Sequence, residues 1–310
     1  MPLNRKNKLL DLAAAKRRGP ETRDWQVTQI LPSIIDGLLI GFVYGVAAMG
    51  LTLIWGVMRV INLGHGATMA LGMFCTYFLF SDLAVNPYLG ILAVVVLSLL
   101  FGFIIYGVAL QRVIQAGYLS TLLATFAVNM IIIGVGTALF TTSPRNIDFS
   151  AGSITLGPVI LQGTRLLAAL AAVVITGALY LFLYCTRPGK AIRAVSNNRA
   201  AAELMGIPSS YVLALAFGLG TMLAAVAGGL TSTFFPFTIL SGATYQLKSF
   251  VICVLGGLGN PLGALLGGLF LGGLEGVIPT FMPVSWVPVV EFVLFVLVLV
   301  VKPTGLLGAK

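Results

Sequence analysis

The chain alternates between long apolar stretches and short wet breaks. Seven long runs carry no charged residue: 37–58, 60–81, 83–111, 113–144, 166–186, 204–247 and 249–274. Each is long enough for the roughly 18–20 apolar residues that take an α-helix across a hydrocarbon core. Lipid offers no partner to backbone N–H and C=O groups, so helix is the expected form; the alternation that a barrel strand needs is not seen. The pattern predicts an all-α integral membrane protein, a polytopic bundle of about eight spans with glycine-rich broken or re-entrant segments. The spans fall near 34–57, 66–81, 88–110, 119–142, 166–186, 211–235, 250–280 and 286–301.

Two spans are compromised. The segment 66–81 is short and follows the turn "NLGHG", and it reads as entering and leaving on one side. The 250–280 run contains "GGLGNPLGALLGG", which could divide it into two pieces. Broken helices at membrane depth survive only where they are buried or line a cavity. The two glycine-rich breaks, one in each half, suggest internal repeats around a central path. On this reading the path is lined by Asn62, Gly64, His65 and Gly66 from the first break and by Gly256, Gly257, Gly259 and Asn260 from the second. Glycines also recur every fourth residue at Gly37, Gly41, Gly45 and at Gly268, Gly272, Gly276. That spacing lets helix backbones approach closely, within the chain or between subunits.

One stretch in the body of the chain is wet: "RPGKAIRAVSNNRAAAELMGIPSS", residues 187–210, with four cations, two asparagines and a single carboxylate. Local signals predict two short helices here. Pro188 and Gly189 open the first, which runs to about Ser196; Asn198 is placed to cap the second, "RAAAELM". Gly206 suits a left-handed C-terminal cap and Pro208 stops continuation. An antiparallel connection needs only about 2–8 residues. A structured tip that shows Leu204, Met205 and Ile207 to water makes sense if another protein covers it.

Composition agrees with the pattern. Of 310 residues 58% are hydrophobic and 9% charged, against about 25% charged in soluble domains. The net charge of +9 is no nucleic-acid footprint, because seven of the 18 cations crowd the first 23 residues. Basic clusters beside spans mark the cytoplasmic face and touch anionic headgroups. This divides the chain into a basic cytoplasmic arm (1–29) and one membrane domain (30–310). With 66–81 re-entrant, the arm, Arg112 and the 187–210 loop share the cytoplasmic side. "LLDLAAAKRRGPETRDW" is too broken by charge to form a signal-peptide core. Cys75, Cys185 and Cys253 have neither pairing nor metal spacing and read as small core residues.

The stretch "GKAIRAVSNNRAAAELMGI" resembles the coupling loop of permease subunits from ABC importers of the branched-chain amino acid type. "GLTLIWGVMRVINLGHG" at 50–66, "KSFVICVLGGLGNPLGALLGG" at 248–268 and "KPTGLLG" at 302–308 resemble the same family in the same order. The resemblance implies a division of labour: this permease and a sister (or second copy) form the path in the bacterial inner membrane, and a periplasmic binding protein delivers substrate. Two cytoplasmic ATPases hold ATP and magnesium and grip the loop through Arg193, Asn198, Arg199, Glu203, Leu204, Met205, Gly206 and Ile207. The residues agree independently that no G-x-x-x-x-G-K-[ST] phosphate loop is present, so hydrolysis belongs to another chain.

His65 is the only histidine, which leaves no His-based metal cluster or Ser–His–Asp arrangement; no catalytic residue, metal or cofactor is expected in this chain. It could line the path or cap a turn, and Arg59 beside it could snorkel to the surface. Glu275 and Glu291 lie in apolar runs, where a central carboxylate costs about 2.5–3.5 kcal/mol, and each is expected to pair with a neighbour or face the interior. Asn129 and Gln246 read as interhelical hydrogen bonders and Lys248 as a membrane boundary. The rival reading is an ion-gradient carrier or channel for a small polar solute, which calls for several acids or a histidine relay at mid-membrane.

Overall fold

The computed structural model describes residues 21–156, 159–302 and 305. Most of these are helical: α1 (Glu21–Met58), α2 (His65–Ser81), α3 (Pro87–Ile105, continued by a π turn at Tyr106–Leu110), α4 (Tyr118–Phe140), α5 (Gly163–Cys185), α6 (Arg187–Asn197), α7 (Arg199–Leu204), α8 (Ser209–Thr231), α9 (Ser241–Gly256), α10 (Pro261–Phe281) and α11 (Val287–Val301). Among the described residues, seven helices are long and apolar enough to cross a membrane. Two further bundle helices, α2 and α9, fall short of that length and are each preceded by non-helical backbone, at 59–64 and 232–240. One element was not foreseen: β1 (Ser153–Leu156) pairs antiparallel with β2 (Val159–Gln162) in a small hairpin between α4 and α5.

Long-range contacts define the two ends of the bundle. At one end, which carries the hairpin, Asp36 of α1 pairs with Arg165 of α5, and the Tyr88 hydroxyl of α3 donates to the Thr164 carbonyl at 2.6 Å. At the other, Ser196 of α6 donates to the Gly56 carbonyl of α1 at 2.9 Å, and Gly305 packs against Gly257. α1 therefore starts at the hairpin end and finishes at the end that carries the wet loop. This corrects the expectation that the start of the membrane domain shares a face with residues 187–210. The basic residues 1–20 of the arm lie outside the described residues.

The source of the error is α2. His65, its first residue, reaches the Ala47 carbonyl midway along α1 through Nε2 at 3.0 Å. The helix ends near the start of α3, whose Tyr88 marks the hairpin end. The segment is not re-entrant. It is a full crossing, extended in its first part and helical in the rest. Arg112, which follows α3 and its π turn, does fall at the loop end as expected.

The glycine repeats are consumed within the chain. Gly37, Gly41 and Gly45 of α1 face Gly276, Gly272 and Gly268 of antiparallel α10; a Cβ on Gly41 would stand 2.8 Å from the Gly268 carbonyl oxygen and 2.9 Å from Leu269 Cα. Without Cβ atoms the backbones meet directly, and dispersion replaces the hydrophobic drive that lipid cannot supply. α8 packs on α2 in the same way, through Gly72 against Ala225 and Gly228 against Met69. Helices α1 and α8 form the buried centre, whereas α4 and α11 leave most of their apolar surface on the outside of the bundle.

Candidate functional site

The wet loop folds from local rules. Thr186 caps α6 by accepting from the Gly189 N–H at 3.1 Å, and Asn198 caps α7 by accepting from the Ala201 N–H at 3.0 Å. Gly206 takes φ +82°, and the Ile207 N–H reaches back to the Ala202 carbonyl at 3.0 Å, so the orphan carbonyls of α7 are satisfied. Ile192 and Val195 bury one side of α6 in the bundle. The loop is thereby a rigid two-helix elbow standing on the helices rather than a tether.

Its residues divide into anchors and tip. Arg193 is an anchor: its Nε donates to the Leu183 carbonyl at 3.0 Å and its guanidinium lies 4.1 Å above the Tyr184 ring. Ile207 is half-buried against the core. Arg199 bonds Glu203 at 3.0 Å and reaches the Ser209 hydroxyl at 3.3 Å. The Ser209 hydroxyl and then the Arg199 guanidinium hold the Glu203 carboxyl below its usual value. Leu204 and Met205 are 89% and 84% exposed, more than any other large hydrophobic side chain among the described residues. They face water at the end of the bundle, beyond the reach of the lipid that covers the exposed leucines of the spans.

The two glycine-rich breaks meet at their loop-end edges, where Arg59 of the first and Leu258, Gly259 and Asn260 of the second line one cavity, while residues 62–66 run deeper into the bundle. In the first, the Asn62 Oδ1 accepts the Gly64 N–H at 3.0 Å, and Gln246 of α9 spans the break, accepting from Gly66 N–H at 2.5 Å and donating to the Asn62 carbonyl at 3.2 Å. Gly66 meets the backbone of Gly242 directly. A second non-helical stretch, 232–240 ahead of α9, leads to the same Gly66–Gly242 contact; the sequence hid it inside a continuous apolar run. His65 is fully buried; a carbonyl only accepts, so Nε2 carries the proton toward Ala47 and Nδ1 has no partner. Gly256, Gly257, Gly259 and Asn260 form the α9–α10 turn at the loop end. Gly256 abuts Gly263, Gly259 abuts Gly56, and Asn260 Oδ1 caps α10 by accepting from Leu262 and Gly263 N–H groups at 3.1 and 3.2 Å.

Sequence reasoning missed a membrane-embedded ionic cluster. Lys248 of α9 is not a boundary marker; its ammonium lies 2.6 Å from Glu275 of α10 and 3.5 Å from Glu291 of α11. The Tyr44 hydroxyl of α1 donates to Glu275 at 3.4 Å, and the ammonium sits 5.0 Å from the Tyr44 ring centroid. Four helices thus converge on one cation. The only signal was three charged residues in apolar runs; nothing local said that they meet. The cysteine reading also needs correction at one position: Cys185, at the end of α5, is exposed, whereas Cys253 is buried and accepts from Thr52 at 2.9 Å.

A bundle of apolar helices, two of them entered through non-helical segments, with an ordered polar elbow at one end, fits a multi-pass permease of the inner membrane. The chain belongs to the family described as the permease component of branched-chain amino acid transport systems, whose model matches residues 33–300. It is 30% identical to the high-affinity branched-chain amino acid transport system permease protein LivH of Salmonella typhimurium, over 91% of this chain and 97% of that one. It is 29% identical, with the same coverage, to the permease protein BraD of Pseudomonas aeruginosa. A shorter match, 35% identical over 32% of this chain and 30% of the other, joins it to the autoinducer 2 import system permease LsrC of Klebsiella pneumoniae. No solved structure matches.

Proposed function

We propose that the chain is a translocation subunit of an ATP-driven importer for amino acids, branched-chain or related, and that it catalyses no covalent step itself. The elbow carries this reading. Leu204 and Met205 stand bare in water on a rigid support, beside the Arg199–Glu203 pair, as a knob that needs a groove in another protein. The groove belongs to a cytoplasmic ATPase, which supplies ATP and magnesium; a sister permease or second copy completes the path, and a periplasmic binding protein loads it.

Charge supports the cytoplasmic placement of the elbow. Among the described side chains, the loop end carries Arg59, Arg112, Arg187, Lys190, Arg193, Arg199 and Lys302 against Glu203 alone. The hairpin end carries Arg145 and Arg165 against Asp36, Asp82 and Asp148. On this count the loop end is the positive one and stays inside; the seven cations of residues 1–23, which precede the span of α1, are not in it. The path runs beside the breaks at 59–64 and 232–240, which lead from opposite ends of the bundle to the Gly66–Gly242 contact, where freed carbonyls and close backbone suit a small zwitterion, and access alternates as the ATPases close and open.

The test is assembly. Leu204→Asp with Met205→Asp, or Glu203→Lys, abolishes co-purification of the ATPase while the permease still inserts. Retention of the ATPase and of ATP-driven uptake by these variants overturns the assignment. The ion-gradient carrier keeps one supporting observation, the Lys248–Glu275–Glu291 cluster. Uptake that persists after ATP depletion with the ion gradient intact would select it.

A further inference from the structure

Beneath the elbow lies a cavity of about 630 Å³, walled by the end of α1, the end of α5, α6 and the α9–α10 turn. Arg59 and Arg193 enter it, and no carboxylate lines it. Arg193 is held in place by the Leu183 carbonyl and the Tyr184 ring. Arg59 is exposed and, among the described residues, forms no ion pair. Its backbone takes φ +55°, a left-handed conformation that non-glycine residues rarely hold, so the turn that aims it costs energy. Two nearby sets of donors are already engaged, Ser196 on the Gly56 carbonyl and the first α10 N–H groups on Asn260, which leaves the arginines and the neutral donors of Asn197, Tyr180 and Tyr184. What the cavity offers a ligand is positive charge.

Its rim is apolar. Tyr180 and Tyr184 stack with centroids 5.9 Å apart, and Tyr184, Leu258 and Leu262 are 53%, 40% and 48% exposed. A free anion has no use for such a rim. A phosphodiester that carries acyl chains uses both parts, and paired tyrosines sit at the depth where headgroups meet hydrocarbon.

We propose that this cavity binds the phosphate of an anionic phospholipid, with Arg59 and Arg193 on the headgroup and the acyl chains along the α5–α10 rim. The lipid then braces the elbow against α1, α5 and α10. Assignment to the cytoplasmic leaflet rests on the placement of the elbow given above; the site itself does not.

Native mass spectrometry of the full-length chain, purified in its complex and passed through nanodiscs of phosphatidylcholine doped with phosphatidylglycerol, tests this. Wild type retains phosphatidylglycerol over phosphatidylcholine. Arg59→Gln lowers the retained amount about fivefold, Arg59→Lys restores most of it, and Arg112→Gln, an exposed cation at the same end but outside the cavity, changes nothing. Inorganic phosphate displaces the lipid only weakly. Equal loss in Arg59→Gln and Arg112→Gln reduces the effect to surface charge and overturns the proposal. So does a Lys variant no better than Gln, or displacement by inorganic phosphate as effective as by lipid. Lipid retention is read without ATP, so its failure leaves the importer reading standing, and the converse holds.

Discussion

The hydroxyl of Ser196 donates to the carbonyl of Gly56 at 2.9 Å, joining the elbow to the end of α1. α1 in turn lies backbone to backbone on α10. A push on the elbow is therefore delivered to a pair of helices that cannot separate without losing contact along their length.

Replacing Ser196 with Ala removes this tie at a net cost of about 1 kcal/mol in stability. The expected outcome is an intact complex that still hydrolyses ATP but imports less per ATP consumed. Paired measurements of hydrolysis and uptake in proteoliposomes check it; an unchanged ratio shows that force travels by another route.

Lys248 holds two carboxylates in the membrane. Lys248→Met leaves them uncompensated and is expected to destabilise the protein by roughly 3–5 kcal/mol. Adding Glu275→Gln and Glu291→Gln should restore most of that, because neutral amides no longer need the cation. Thermal unfolding of the purified protein reads both steps, and a triple variant as unstable as the single one refutes the charge-balance account.

Two glycines that look alike in sequence should behave oppositely. A side chain on Gly41 collides with Gly268 and Leu269, so Gly41→Val is expected to cost about 1–3 kcal/mol. Gly134, in the exposed part of α4, has open space where a side chain would stand; Gly134→Ala is expected to raise stability by at most about 1 kcal/mol. Unfolding midpoints of the two variants decide the matter.

The Glu203 carboxyl titrates below its ordinary value of 4.5 because Ser209 and Arg199 favour the charged form. A lowered folded value means that the pair's contribution is complete above pH 4.5 and fades as acid protonates the group. Hydrogen exchange of α7 amides should therefore be flat with pH in the neutral range, apart from the intrinsic rate, and protection should drop in acid. Glu203→Gln should abolish that drop.

How much of this was legible in the chain depended on how local the signal was. The elbow was readable almost residue by residue, since Asn198 and Gly206 act on neighbours three or four positions away. The division at "GGLGNPLG" was readable for the same reason. The start of α9 was not: residues 232–240 are held out of the helix by partners far away in the chain, Arg145 bridged to Phe237 and Gly66 against Gly242. Lys248 looked like an edge because its two acids arrive on later helices. The expectation that α1 starts on the same face as the loop failed on a single judgement about 66–81, as apolar length measures a helix but does not count the extended residues that complete a crossing. The hairpin at 153–162 was too short to stand out.

The bareness of Leu204 and Met205 has a consequence for the cell. On the proposed assignment, a copy made without its ATPase holds two greasy side chains out into the cytosol on a stiff mount, where they invite clumping and proteolysis. Production of the two proteins is then expected to be matched, and an unmatched permease to be short-lived.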